Sequence, residues 1–215
     1  MLLMRPPGVY RPQGDTKLLL QALRTVDLPT GARVLDMGTG TGAIALAAAL
    51  RGAAKVTAVD VSWRAVLAAR ANARLLGRRI RVLRGDLFAP VAGERFDVIL
   101  ANPPYVPSPE VRPTGRGRAW DAGAKGRLLL DRICERAADM LSPGGTLLMV
   151  HSDLCDEHLT LDQLREAGLR AEVVLRRAEP FGPVMRGRAG WLERQSLIRP
   201  GQQEEGLVVI RADRI

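Results

Sequence analysis

The residues best suited to chemistry stand at the ends of short apolar runs. "RVLDM" carries Asp36, "KVTAVDV" carries Asp60 and "RIRVLRGD" ends on Asp86. Between the first two lies "GTGTG", which supplies Gly38, Gly40 and Gly42. Glycines at such a junction let the chain turn sharply and let a ligand approach the backbone. Asp36 would repel a pyrophosphate and attract an ammonium group. Asp60 suits two ribose hydroxyls, and Asp86 an adenine amino group, because a carboxylate accepts several hydrogen bonds. Together these acids describe a nucleoside with a cationic tail. The same stretch also satisfies the dinucleotide pattern, with Ala43 as its last small residue. Aspartates at strand ends also serve as helix caps or turn formers. A fourth run, "FDVILA", delivers "NPPY", Asn102 to Tyr105. Proline fixes its own φ and drives the preceding residue to extended geometry, so Asn102 and Pro103 are held stiffly.

These tips require a sheet to carry them. The runs at 33–37, 55–61, 79–86, 96–101, 146–151, 170–178 and 205–213 read as strands. Longer apolar patterns at 42–52, 63–77, 125–141 and 159–168 read as helices between them, with Gly77 capping the second. Such alternation predicts a mostly parallel sheet with helices on both faces. Ligands bind beyond the carboxyl ends of its strands, at a switch point. Segment 1–30 precedes the first strand and holds a helix over 15–26, with Asp15 as its N-cap. Segment 106–124 is a Pro/Gly/Arg-rich loop. Segment 179–204 reads as a long loop between the last two strands, whose Phe181, Met185 and Trp191 could pack on the core.

The whole chain has 215 residues, which suits one domain over 1–215. No apolar stretch reaches the roughly 18 residues of a membrane span, and the N-terminus lacks a signal-peptide core. A cytoplasmic location is expected. Cys134 and Cys155 do not suggest a disulfide framework. The net charge of +9 invites a nucleic-acid partner, but all except three of the 32 basic residues are arginine and they form no dense block. His151, Cys155 and His158 lack an obvious fourth partner for a closed zinc site, so no metal is expected.

The pattern resembles class I S-adenosylmethionine-dependent methyltransferases along nearly the whole chain. "NPPY" is similar to the signature of enzymes that methylate a nitrogen conjugated to a planar system. "VYRPQGDTKLLLQAL" (9–23) and "AWDAGAKGRLLLDRI" (119–133) resemble the HemK-related glutamine methyltransferases, in particular their short Mtq2-like branch. Ala122 departs from a glycine of that branch. The resemblance implies an α/β, Rossmann-like, seven-stranded sheet, mostly parallel, with the last strand antiparallel. It implies S-adenosyl-L-methionine as cofactor, S-adenosyl-L-homocysteine as product, and the glutamine of a release-factor GGQ motif as substrate. By motif match, Thr16, Asp36, Gly38, Gly40, Asp60, Asp86, Leu87 and Asn102 would bind the cofactor or lie beside it. Pro104 and Trp120 would face the substrate. Asn102, Pro103 and Tyr105 would be catalytic: two fixed acceptors hold the amide nitrogen in line with the methyl donor and a ring faces the planar group. No general base is required. A small zinc-binding activator protein is a further implied partner.

Other readings keep the same residues. An adenine or guanine N-methyltransferase acting on RNA or DNA would use "NPPY" identically. The long loops leave little surface for reading DNA sequence, which argues against that target more than against RNA. A non-catalytic cofactor-binding scaffold sits poorly with an intact "NPPY", and a dinucleotide oxidoreductase with Asp36.

Overall fold

Period-two alternation decides which side chains meet which helices. In a computed structural model that describes residues 3–110 and 115–215, seven strands form one sheet in the order β3-β2-β1-β4-β5-β7-β6. Strands β1 (Arg33–Met37), β2 (Lys55–Asp60), β3 (Ile80–Arg84), β4 (Phe96–Ala101) and β5 (Leu141–Ser152) are mutually parallel. Strand β7 (Glu204–Asp213) runs antiparallel to both β5 and β6 (Arg170–Pro180) and lies between them. The expected mostly parallel sheet with an antiparallel last strand is therefore present.

Leu35, Met37, Ile99, Leu147 and Met149 face α4 (Leu130–Met140) and α5 (Glu157–Glu166) in one buried cluster. Their sequence neighbours Val34, Val98, Leu100, Leu148 and Val150 face the other way. There they meet α1 (Gly14–Leu23), α2 (Ala43–Leu50) and α3 (Trp63–Leu75). Strands buried on both faces are the reason these runs are continuously apolar rather than alternating with polar residues. Helix α2 is mostly alanine, the best helix former, and its small side chains let it lie close on the sheet. Helix α3 begins at Ser62, whose hydroxyl accepts from the Ala65 N–H, and stops before Gly77, whose φ of +62° a β-carbon would disfavour.

Three expectations need correction. Asp15 is not the N-cap of the first helix. That helix starts at Gly14, with Gln13 before it, and Asp15 turns its carboxylate inward. The helix expected from 125 starts at Leu130. Gly126 adopts φ +71°, and any β-carbon there would collide with the Tyr105 carbonyl, so the chain turns before α4 can begin. The 179–204 segment is not a loop, since it contains helix α6 (Pro183–Arg194). Phe181, Met185, Leu192 and Ile198 bury one another there, with Trp191 and Val106 packed alongside. Of the 106–124 segment, residues 111–114 lie outside the described residues, as do Met1 and Leu2 of the N-terminal segment.

Candidate active site

The strand order reverses between β1 and β4, and the cavity opens at their carboxyl ends, where the switch-point rule puts a ligand. Its volume is about 440 Å3. The glycine turn after β1 forms one wall. Gly38, Gly40 and Gly42 all have positive φ, at +68°, +54° and +82°. At Gly38 an added β-carbon would touch the Asn102 carbonyl oxygen at 3.4 Å, an ordinary contact, so it is the positive φ that calls for glycine there.

Gly38, Gly40, Asp60, Asp86 and Leu87 all line this cavity. Asp60 accepts the Gly40 N–H through one oxygen (2.9 Å) and the Ser62 N–H through the other (2.8 Å). Both oxygens keep lone pairs for further donors. Burial raises its pKa, against the pull of those two hydrogen bonds. Asp86 is exposed and ion-paired to Arg132 of α4 at 2.7 Å. Leu87 follows with φ +46°, an uncommon conformation for a branched residue, of the kind held under strain at functional sites.

Asp36 is the acid that sits differently. It is completely buried and does not line the cavity. One carboxylate oxygen accepts from the Thr39 hydroxyl and from the Ala45 N–H at 3.0 Å, so it pins the glycine turn to α2. The other oxygen has no partner among the described residues. Burial pushes the pKa up to about 7, despite those two hydrogen bonds.

Asn102, Pro103, Pro104 and Tyr105 line the opposite wall, with Thr16 and Trp120 at the same cavity. The Asn102 side-chain NH2 donates to the Thr16 hydroxyl at 3.4 Å. Its side-chain oxygen is thereby left to accept. Thr16 also donates from its hydroxyl to Asp15 at 3.1 Å, so it joins the N-terminal helix to the fourth strand tip. Asp15 is the residue that sequence reasoning missed. Its Oδ2 accepts from the Tyr105 hydroxyl at 3.2 Å and from the Tyr10 hydroxyl at 2.7 Å. Burial, then the Asp15 charge, raises the Tyr105 pKa, so this phenol remains a donor and does not act as a base.

Trp120 is held from behind. Its carbonyl accepts from Val106 N–H at 2.8 Å, and Ala122 N–H returns a bond to the Val106 carbonyl at 3.0 Å. The buried Asp121 next to it forms a two-pronged ion pair with Arg188 of α6, one arm at 3.0 Å. Arg188 also donates to the Pro107 carbonyl at 3.1 Å. Helix α6 thus braces the cavity wall. His151 is buried at the end of β5 and His158 is exposed on α5, so they do not converge.

The comparisons with known proteins agree with this geometry. A family model described as "Methyltransferase small domain" matches residues 3–172. A protein of Methanocaldococcus jannaschii, to which protein N5-glutamine methyltransferase activity is ascribed, is 39% identical over 181 residues. That alignment covers 83% of this chain and 90% of the relative. The release factor glutamine methyltransferase of Bordetella pertussis is 41% identical over 175 residues, covering 76% of this chain but 64% of its own. That of Geobacter sulfurreducens is 38% identical over 152 residues, covering 66% of this chain. This chain spans about half of that relative's length, at 53%. Among solved structures, the Mtq2–Trm112 complex of E. cuniculi, which methylates the eRF1 translation termination factor, superposes with a TM-score of 0.65 at 23% identity. The match covers 97% of this chain and 99% of that one.

Proposed function

The chain belongs to the methyltransferase small domain family, and from that premise we propose that it transfers a methyl group from S-adenosyl-L-methionine to the side-chain nitrogen of a glutamine in a protein. The enzyme is a methyltransferase; the acceptor, the cofactor and the residues that serve them are the proposed part. The release factor is the proposed substrate, on the precedent of the named relatives. Residues 1–215 act as one methyltransferase domain in the cytoplasm. Among the described residues, no helix is long and apolar enough to cross a membrane. A partner protein belongs to the same proposal, on the precedent of the Mtq2–Trm112 complex, and the family resemblance would make it a small zinc-binding activator.

The cofactor fits the residues present. Three glycines in left-handed geometry leave room against the backbone, and Asp60 and Asp86 offer carboxylate oxygens to hydroxyl and amino donors. Beneath them Asp36 keeps an oxygen without a partner among the described residues, suited to the field of a ligand cation or to a bridging donor. S-adenosyl-L-methionine, when bound, supplies an electrophilic methyl group and leaves as S-adenosyl-L-homocysteine.

The rest of the chemistry belongs to the chain. An amide nitrogen is a poor nucleophile because its lone pair is delocalised into the carbonyl. The observation that carries the proposal is the setting of Asn102. One N–H of its NH2 is directed to Thr16 and the residue lines the same cavity as the glycine turn, so its side-chain oxygen is left to accept. The Pro103 carbonyl accepts no hydrogen bond among the described residues and supplies a second acceptor. Two acceptors suit the two N–H groups of a primary amide. Held this way, the nitrogen is oriented for in-line attack, and positive charge developing on it is stabilised. Tyr105 and Trp120 offer ring surfaces for a planar group.

The experiment is mass spectrometry of GGQ-containing release-factor peptides, and of the intact factor, after incubation with the protein, the cofactor and any activator. The expected result is a mass gain of one methyl group located on the glutamine. No gain on glutamine by folded protein, with gain on an RNA supplied in parallel, would replace the acceptor with a nucleobase.

A further inference from the structure

A second concavity lies at the other end of the strands, where β1, β2 and β3 begin. It measures about 650 Å3 and is shaped by the back of α3 and the turn that follows it. Seven cationic side chains line it against a single carboxylate, Glu94. Arg33 and Arg81 share that carboxylate, at 3.0 and 2.8 Å. Arg70 donates to the Val82 carbonyl at 2.8 Å. The remaining four, Lys55, Arg74, Arg78 and Arg79, are exposed, and none has an ion-pair partner among the described residues. The C-terminal end of α3 accounts for a cation in its last turn, Arg74, through the helix dipole. It does not account for Lys55 on β2, nor for the pair beyond the helix.

We propose that this cleft is a docking site for the sugar–phosphate backbone of RNA, bound there and not methylated. Guanidinium groups present several N–H donors in a planar fork that matches phosphate oxygens. Arg70 and Arg74 are one helical turn apart, and Arg78 and Arg79 continue the row past the helix end. A row of this kind follows a charged strand, not a point charge. The site is recessed, which suits a flexible single strand; reading a duplex groove needs a protruding helix or ribbon. Inside the cleft the apolar lining residues Val56, Ala73 and Phe96 are buried at the floor, but Leu75 and Leu76 stand exposed beside Arg74, so an anionic lipid surface is the rival that the test must separate. With Phe96 covered, the described lining offers no aromatic face for bases to stack on, so binding is independent of sequence. The choice of RNA over single-stranded DNA rests on the proposed function, because translation termination takes place on an RNA-rich particle. Docking RNA at the far end of the sheet would hold the enzyme near its substrate without obstructing the cavity.

The test measures binding of a short labelled single-stranded RNA to the full chain by fluorescence anisotropy across a salt series. The variant replaces Lys55, Arg74 and Arg78 by glutamate; a milder set replaces them by glutamine, for use if thermal unfolding shows the first to be misfolded. A control replaces Arg186, Arg194 and Arg199 by glutamate, which removes equal charge elsewhere. The cleft variant is expected to weaken RNA binding about tenfold or more and to flatten the salt dependence by about 0.7 in log–log slope for each phosphate that it no longer neutralises. The control should weaken binding far less, and peptide methylation should stay at the wild-type rate in both. Absence of RNA binding by the wild type at about 0.1 M salt would overturn the proposal, as would equal weakening by cleft and control variants. Single-stranded DNA of the same sequence should bind about as well, because the contacts are to phosphates; DNA binding far tighter than RNA would overturn the choice of RNA, and preferential binding of anionic phospholipid vesicles would overturn the proposal by assigning the cleft to a membrane. Peptide methylation is read separately, so loss of the proposed substrate and loss of the docking site are distinct results.

Discussion

At the scale of single residues, the site depends on carboxylates whose partners are fixed by the fold. Asp36 carries a pKa raised by burial from 3.8 to about 7. A group whose folded pKa lies above its unfolded value contributes stability below the unfolded pKa and loses it as pH rises through the folded one. Asp36 should therefore cost stability progressively between about pH 4 and pH 7. Asp36→Asn should flatten that part of the curve of melting temperature against pH, as followed by thermal circular dichroism. An unchanged slope would mean that Asp36 ionises freely in the folded protein. Asp15 has a different task. Its Oδ2 takes both the Tyr10 and the Tyr105 hydroxyls, so Asp15→Ala should leave two half-buried phenols short of an acceptor. The expected loss is about 1–3 kcal/mol of stability in denaturant titration. A fall in kcat should exceed any change in cofactor affinity, because the displaced ring belongs to the substrate side. The strand-tip acids were legible in the sequence, since a polar residue closing an apolar run stands out. The Tyr105–Asp15 bond was not: its partners are 90 residues apart, and local rules make an aspartate before a helical pattern a cap.

At the scale of elements, α6 shows how packing overrides local pattern. Gly187 and Gly190 interrupt it, and glycine disfavours helix by about 1 kcal/mol per residue. Read locally, the segment is a loop. Its only start signal is Pro183 in the first turn. The helix is held by Met185 and Leu192 against Phe181 and Ile198, which flank it closely in sequence, and by Val106 from far outside the segment. Its Arg188 clamps Asp121, which is 2% exposed at the side chain. Arg188→Ala should leave that carboxylate buried without its partner, at a cost of about 3 kcal/mol. The Michaelis constant for a glutamine peptide should rise as the Trp120 wall loosens, while cofactor affinity holds. Exchanging the two charges, Arg188→Asp with Asp121→Arg, should recover part of the peptide affinity. A charge exchange no better than the single changes would reduce Arg188 to a packing residue. The strands, by contrast, were almost wholly legible, because burial on both faces leaves long apolar runs bounded by glycine and acid.

At the scale of the whole molecule, the parallel sheet separates two surfaces along its strands. The carboxyl ends carry the glycine turn, the acids and "NPPY"; the amino ends carry the basic cleft. Distant sites without shared partners act additively. A cleft variant combined with a cavity variant should show the methylation defect of the cavity variant alone, measured as kcat/KM on peptide. The sequence could not separate these surfaces, because its arginines are scattered along the chain and only the fold gathers them. The central claim is that the Asn102 oxygen positions the accepting nitrogen without holding the cofactor. It is tested most directly with Asn102→Ala, by measuring S-adenosyl-L-methionine binding calorimetrically and single-turnover methylation of a GGQ peptide on the same preparation. Unchanged cofactor affinity with turnover lowered about a hundredfold or more, the scale on which one oriented hydrogen-bonding group acts in catalysis, is the predicted result. Turnover equal to wild type would contradict the account.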